Sequence, residues 1–196
     1  MHFKTAFERA NIAKNFDCSM ILSQNKLYVV GYMGAGKTTI GKLLAKKLDW
    51  SFVDVDGFIE NRYHRTIASI FEEKGESGFR EIERRALLEI SGFEHTVVST
   101  GGGLPCFFDN MEVMNQTGAT IYLKASVGEL TERINLNKQK RPLLKDKSLE
   151  ELRVFVETNL QKREIFYNQA NYIVEVPPCL TKEEMSQWIE EIMISD

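Results

Sequence analysis

Gly31-Tyr32-Met33-Gly34-Ala35-Gly36-Lys37-Thr38 is the stretch on which the reading of this chain turns. It fits the pattern G-x-x-x-x-G-K-[ST], in which backbone N–H groups wrap a polyphosphate, the lysine reaches the outer phosphates and the hydroxyl meets Mg²⁺. Eight residues can match by chance, so the flanks decide. Leu27-Tyr28-Val29-Val30, just before it, is a short apolar run suited to a buried parallel strand. After it, Ile40, Leu43, Leu44 and Leu48 recur at helical spacing, with Lys42, Lys46 and Lys47 between them on the solvent side. Strand, glycine-rich turn and helix therefore follow in the order that sets a helix N-terminus, with its partial positive charge, under a phosphate.

The rest of the chain bounds what such a loop can serve. At 196 residues and 43% hydrophobic content there is enough chain for one full α/β core and too little for two comfortable domains. We expect a single domain over 26–196, preceded by an extension over 1–25 in which Phe3, Phe7 and Ala10 sit at helix-compatible intervals among charges. Met20 is an alternative start. A net charge of −3 gives no sequence-wide cationic surface, so a nucleic-acid partner is not expected. Cys18, Cys106 and Cys179 are odd in number and widely spaced, which suggests neither a disulfide framework nor a zinc site and fits a reducing cytoplasm. No apolar run approaches the roughly 18 residues that span a bilayer, so no membrane association is expected.

Ser51-Phe52-Val53-Asp54-Val55-Asp56 reads as a second strand, with Asp54 and Asp56 on the same side of its carboxyl end. Open α/β sheets place ligands at that edge. One acid could orient the water shell of a magnesium ion, and the other could accept a hydrogen bond or proton from a substrate hydroxyl. The bland alternative is a solvated aspartate capping the next helix. Gly57–Arg62 and Thr66–Lys74 read as helices, Gly75–Gly78 as a break, and Phe79 opens a longer helix through Ile90. Arg80 and Glu83 share a face of it, either as an intrahelical ion pair or as an arginine fork for a carboxylate or phosphate, steadied by Glu83.

Val97–Ser99 is a third strand, running into Gly101-Gly102-Gly103, which removes every side chain at the ligand edge; a merely flexible turn is the alternative. A helix is expected over Phe107–Met114, a fourth strand over Ala119–Leu123 and a helix containing Leu130, Arg133 and Ile134. Lys138, Lys140, Arg141, Lys145 and Lys147 crowd a stretch of little periodicity, about 135–148, which suits either a solvated loop or a lid bringing a cation to a transferring phosphate. A helix over Leu149–Tyr167, a fifth strand over Asn171–Val176, a stop at Pro177-Pro178 and a closing helix from Thr181 to Ile194 complete the chain.

Taken together, Gly31–Thr38, Asp54-Val55-Asp56, Gly75-Glu76 with Phe79-Arg80 ahead of Glu83, Gly101-Gly102-Gly103, Arg141-Pro142-Leu143-Leu144, and Arg163 before Tyr167 resemble shikimate kinase across residues 27 to 176. The resemblance implies a P-loop, nucleoside-monophosphate-kinase-like three-layer α/β fold with a central parallel five-stranded sheet flanked by helices. It also implies ATP-dependent phosphorylation of the 3-hydroxyl of shikimate, on the way to chorismate and the aromatic amino acids, by a cytoplasmic monomer using Mg²⁺. ATP is then expected on Gly34, Ala35, Gly36, Lys37, Thr38, Thr39 and the lid residue Arg141. Shikimate is expected on Asp56, Arg80, Gly101, Gly102, Gly103 and Arg163, with the two arginines on its carboxylate. Thr38 corresponds to the magnesium ligand and Asp54 to an acid near the metal's waters. Lys37, Asp56 and Arg141 are the catalytic candidates, and Arg133 and the Pro177 region are candidates for the adenine side. His64 stands where the family often has glycine, and 163–167 lacks a proline often found between the arginine and the tyrosine; both bear on local backbone shape. The rivals are a gluconate or nucleoside monophosphate kinase, for which nothing marks a nucleobase acceptor pocket, and an ATP-dependent switch, in which Asp56, Arg80 and Arg163 have no role.

Overall fold

The computed structural model describes residues 23–137, 144–177 and 182–194. The N-terminal extension apart from Ser23–Asn25, Arg141 of the expected lid, Cys18, Cys179 and Thr181 lie outside them. Five parallel strands form one sheet: β1 (Lys26–Val30), β2 (Ser51–Asp54), β3 (Thr96–Ser99), β4 (Ala119–Lys124) and β5 (Tyr172–Glu175), in spatial order β2-β3-β1-β4-β5. Every residue of β1 is buried, as a strand with neighbours on both sides and helices on both faces requires. Its lysine is accommodated because Lys26 Nζ donates to the carbonyl of Ser91.

Among the described residues, seven α-helices connect and cover the sheet: α1 (Lys37–Leu48), α2 (Val55–Tyr63), α3 (Ile67–Ile90), α4 (Asn110–Thr117), α5 (Val127–Leu136), α6 (Leu149–Tyr167) and α7 (Lys182–Ile194). From β1 the chain steps outward past β3 to β2, and every later crossover runs back the other way. Right-handed crossovers then put α1 on one face and α2 to α6 on the opposite one. The packing agrees: α1 lies on β1, β2 and β3 and meets α7, while α4 touches β4 and α3, and α5 packs on α6. On the α1 side, Ile40 and Leu44 meet Trp188 and Ile189 of α7 over Ile121, Leu123 and Val174 of the sheet.

Three expectations need correction. The second strand ends at Asp54, which turns out of the sheet to cap α2: its Oδ1 accepts from Gly57 N at 3.4 Å, so Asp56 lies in the first helical turn instead of on the strand. A carboxylate that can satisfy an orphan N–H of the first turn stops a strand that apolarity alone would extend. The break at 75–78 narrows to one residue: α3 continues through Ser77 and Gly78, with only Gly75 non-helical at φ 67, ψ −176. The helix expected from Phe107 begins at Asn110, after a 3₁₀ turn at Leu104–Cys106. Of the expected lid segment, Asn135 and Leu136 close α5, Leu144 is buried, and Ser148 caps α6 with Glu151.

Candidate active site

Because all strands are parallel, their carboxyl ends form one edge. Ser99 pairs with both Val29 and Asp54, so the phosphate loop, Asp54 and the glycine turn leave the sheet level with one another. They open onto a cavity of about 880 Å³. Gly34, Gly36, Lys37, Thr38 and Thr39 line one end of it; Asp56, Arg80, the three glycines and Arg163 line the other. The expected residues among those described converge from β1–α1, β2–α2, α3, the β3 turn and α6, except Ala35, which is buried and does not line the cavity.

At the phosphate-loop end, Gly34 (φ 84) and Gly36 (φ 94) take left-handed conformations that turn the loop back on itself before α1. Ala35 N bonds the carbonyl of Tyr32 at 3.2 Å, and Lys37 Nζ donates to the same carbonyl at 2.9 Å, which folds the lysine over the loop. Thr38 Oγ1 donates to Asp54 Oδ2 at 2.9 Å and lies 3.4 Å from Ser99 Oγ. Arg133 Nη1 reaches Gly34 O at 3.4 Å from α5. Pro177 is not among the described residues lining the cavity.

The oxygen set of Thr38 and Asp54 suits a hard cation such as magnesium, which keeps most of its shell as water and substrate phosphate and binds one or two protein oxygens. No cluster of three or more His, Cys, Asp or Glu that could hold a metal occurs among the described residues.

The other end is built on the glycine turn. None of Gly101, Gly102 and Gly103 has a left-handed φ, so close approach is what demands glycine at 101 and 103, while a Cβ at 102 would make ordinary contacts. A Cβ on Gly101 would lie 3.0 Å from Asp56 Oδ1 and 3.1 Å from Glu83 Oε1; one on Gly103 would lie 2.6 Å from Arg80 Nη1; one on Gly102 would lie 3.7 Å from Arg163 Nη1. The turn therefore makes room for the protein's own polar groups. Tyr167, wholly buried, fixes it from below by donating its hydroxyl to Gly102 O at 2.5 Å.

Arg80 lies in a vise. Nη1 donates to Glu83 at 2.5 Å and Nη2 to Glu76 at 3.1 Å, and the guanidinium sits 4.2 Å from the centroid of Phe107. Arg163 rests over the Tyr32 ring at 5.5 Å. Burial pushes the carboxyl pKa of Asp56 up; neighbouring Asp54 adds to the rise, and Lys37 offsets part of it. Burial likewise raises Glu83 against the pull of Arg80. Burial pushes the Cys106 thiol up as well, so it is a poor nucleophile.

Sequence reasoning did not single out Tyr32, Ser99 or Phe107 for the site. Ser99 could have been found by aligning the ends of parallel strands; nothing along the chain tells that Phe107 would stack on a guanidinium from another helix.

Comparison with known proteins places this architecture. A family model described as shikimate kinase matches residues 33–193. The shikimate kinase of Parabacteroides distasonis is 52% identical over 160 residues, covering 82% of this chain and 92% of that protein. The crystal structure of shikimate kinase from Bacteroides thetaiotaomicron superposes with a TM-score of 0.81 at 45% identity, covering 85% of this chain and 95% of that one. That of Acinetobacter baumannii, solved in complex with shikimate, gives 0.76 at 33% identity, covering 90% and 97%. The fold is the P-loop, nucleoside-monophosphate-kinase-like one, with its parallel five-stranded sheet between helical layers. The phosphate loop and the arginine-lined glycine turn accordingly meet in a chain that belongs to the shikimate kinase family.

Proposed function

We propose that this chain transfers the terminal phosphoryl group of ATP to the 3-hydroxyl of shikimate, giving shikimate 3-phosphate and ADP, in the route to chorismate and the aromatic amino acids. The observation that carries the reading is a single cavity with a lysine-bearing phosphate loop at one end and an acid flanked by two arginines at the other. A small carboxylate-bearing alcohol fits such an arrangement: Arg80 and Arg163 take its carboxylate, and Asp56 meets its hydroxyl on the side facing Lys37.

Phosphoryl transfer asks the protein chiefly to align the reactants and to stabilise charge spreading over the phosphoryl oxygens. Lys37 and the backbone N–H groups of Gly34–Thr39 supply fixed positive potential at the phosphates. Arg141, outside the described residues, has the position of the family's lid arginine and adds a second cation there. Thr38, and Asp54 through water, would hold a magnesium ion, which would supply charge neutralisation at the outer phosphates. Asp56 orients the acceptor hydroxyl and takes its proton; its raised pKa makes it a better proton acceptor than an ordinary aspartate. Gly101–Gly103 let the acceptor lie against backbone. The proposed working unit is the monomer. Dependence on ATP fits work in the cytoplasm, and no described helix is long and apolar enough to cross a membrane.

A coupled ADP-release assay with shikimate, gluconate, AMP or no acceptor tests the reading. Turnover should require shikimate and Mg²⁺. Equal turnover without acceptor, or preference for gluconate or AMP, would overturn it.

A further inference from the structure

Arg80 is already held by the protein's own acids, and the two are unlike. Glu83 is 2% exposed, whereas Glu76 is 61% exposed. Nε of the same guanidinium is buried with no hydrogen-bond partner among the described residues. A carboxylate arriving from the cavity therefore finds Nη1 committed to a buried acid whose release would strand a charge, and Nε closed off. Each terminal nitrogen carries a second N–H, and the weaker of the two claims already made on the guanidinium is that of exposed Glu76 on Nη2 at 3.1 Å.

Glu76 is also placed to leave. It follows Gly75, the one non-helical residue of α3, where a Cβ would meet nothing within 4 Å. An exposed i,i+4 pair such as Glu76–Arg80 is weakly held.

We propose that Glu76 is a place-holder: its carboxylate occupies Nη2 of Arg80 while the acceptor site is empty and is exchanged for the carboxylate of the acceptor. Glu76 thereby sets acceptor affinity and screens out carboxylates that bring no further contacts. The inference deepens the proposed function and rests on it.

The test compares wild type, Glu76→Gln and Glu81→Gln. Glu81 lies on the same helix, pairs with Arg85 and is 60% exposed, so it controls for loss of one surface charge. In Glu76→Gln the KM for shikimate should fall by about two- to fivefold, the scale of an exposed ion pair, with kcat and the KM for ATP unchanged. Benzoate, used as a generic carboxylate probe by calorimetry, should bind more tightly by a similar factor, and Glu81→Gln should move neither value. An unchanged or raised KM for shikimate in Glu76→Gln, or an equal fall in Glu81→Gln, overturns the proposal. Failure of the wild type to phosphorylate shikimate overturns the functional reading instead. The benzoate comparison needs no turnover, and unchanged benzoate affinity in Glu76→Gln overturns the place-holder on its own.

Discussion

At the scale of single residues, the site sets burial against charge. Asp56 and Glu83 face each other across Gly101, and burial raises both carboxyls. For Asp56 the ordinary value is 3.8 and the folded value lies above it. The folded state thus binds the proton more readily than the unfolded chain. Stability from this group is fully present below the unfolded pKa and is lost as pH rises through the folded one. At neutral pH the ionised Asp56 strains the fold in return for a proton acceptor. Asp56→Asn should therefore raise the Tm at pH 7.5 by about 2–4 °C per kcal/mol recovered. The gain should shrink as pH falls toward 4, while kcat drops by about 100-fold or more. Thermal melts across pH with parallel kinetics check this, and a variant less stable than wild type at pH 7.5 would contradict it.

At the scale of elements, the glycine turn and the kinked α3 show what the chain does and does not declare. Three glycines after a buried strand mark close approach, and that much is legible. Which groups approach is not, because Arg80 and Glu83 come from α3 and Arg163 from α6, and their meeting depends on sheet order. The exit of Asp54 from its strand was misread for a related reason: two acids separated by one residue look alike on a strand and in a helical first turn until the capping bond is seen. Thr181 followed by Glu184 reads as a capping box, but Thr181 lies outside the described residues; the boxes that form, Ser126 with Glu129 and Ser148 with Glu151, follow the same S-x-x-E pattern and were not singled out along the chain. Substitutions in these elements should separate two reasons for glycine. Gly103→Ala puts a Cβ 2.6 Å from Arg80 Nη1 and 2.9 Å from its Cζ, which displaces the guanidinium; the KM for shikimate should rise about tenfold or more with little change for ATP. Gly75→Ala meets no neighbour but forces alanine to φ 67, ψ −176, so it should lower stability by about 1–3 kcal/mol. Denaturant titration and steady-state kinetics on both variants check the contrast; an unchanged KM for shikimate in Gly103→Ala would contradict it.

At the scale of the molecule, one strand order does most of the work. Setting β1 between β3 and β4 brings the phosphate loop level with the ends of β2 and β3, so the phosphate loop, Asp54 and the glycine turn share an edge. The five strands and the phosphate loop were readable because buried parallel strands and glycine-lysine turns leave dense local patterns. The cavity was readable only through likeness to a family, since Asp56, Arg80 and Arg163 are far apart along the chain. The central claim is that one pocket holds a triphosphate and a carboxylate-bearing alcohol end to end. A crystal structure with shikimate and a non-hydrolysable ATP analogue tests it most directly. The account predicts the carboxylate between Arg80 and Arg163 and the 3-hydroxyl against Asp56, facing the terminal phosphate at Lys37. A shikimate seated elsewhere, or with its carboxylate toward Lys37, would contradict it.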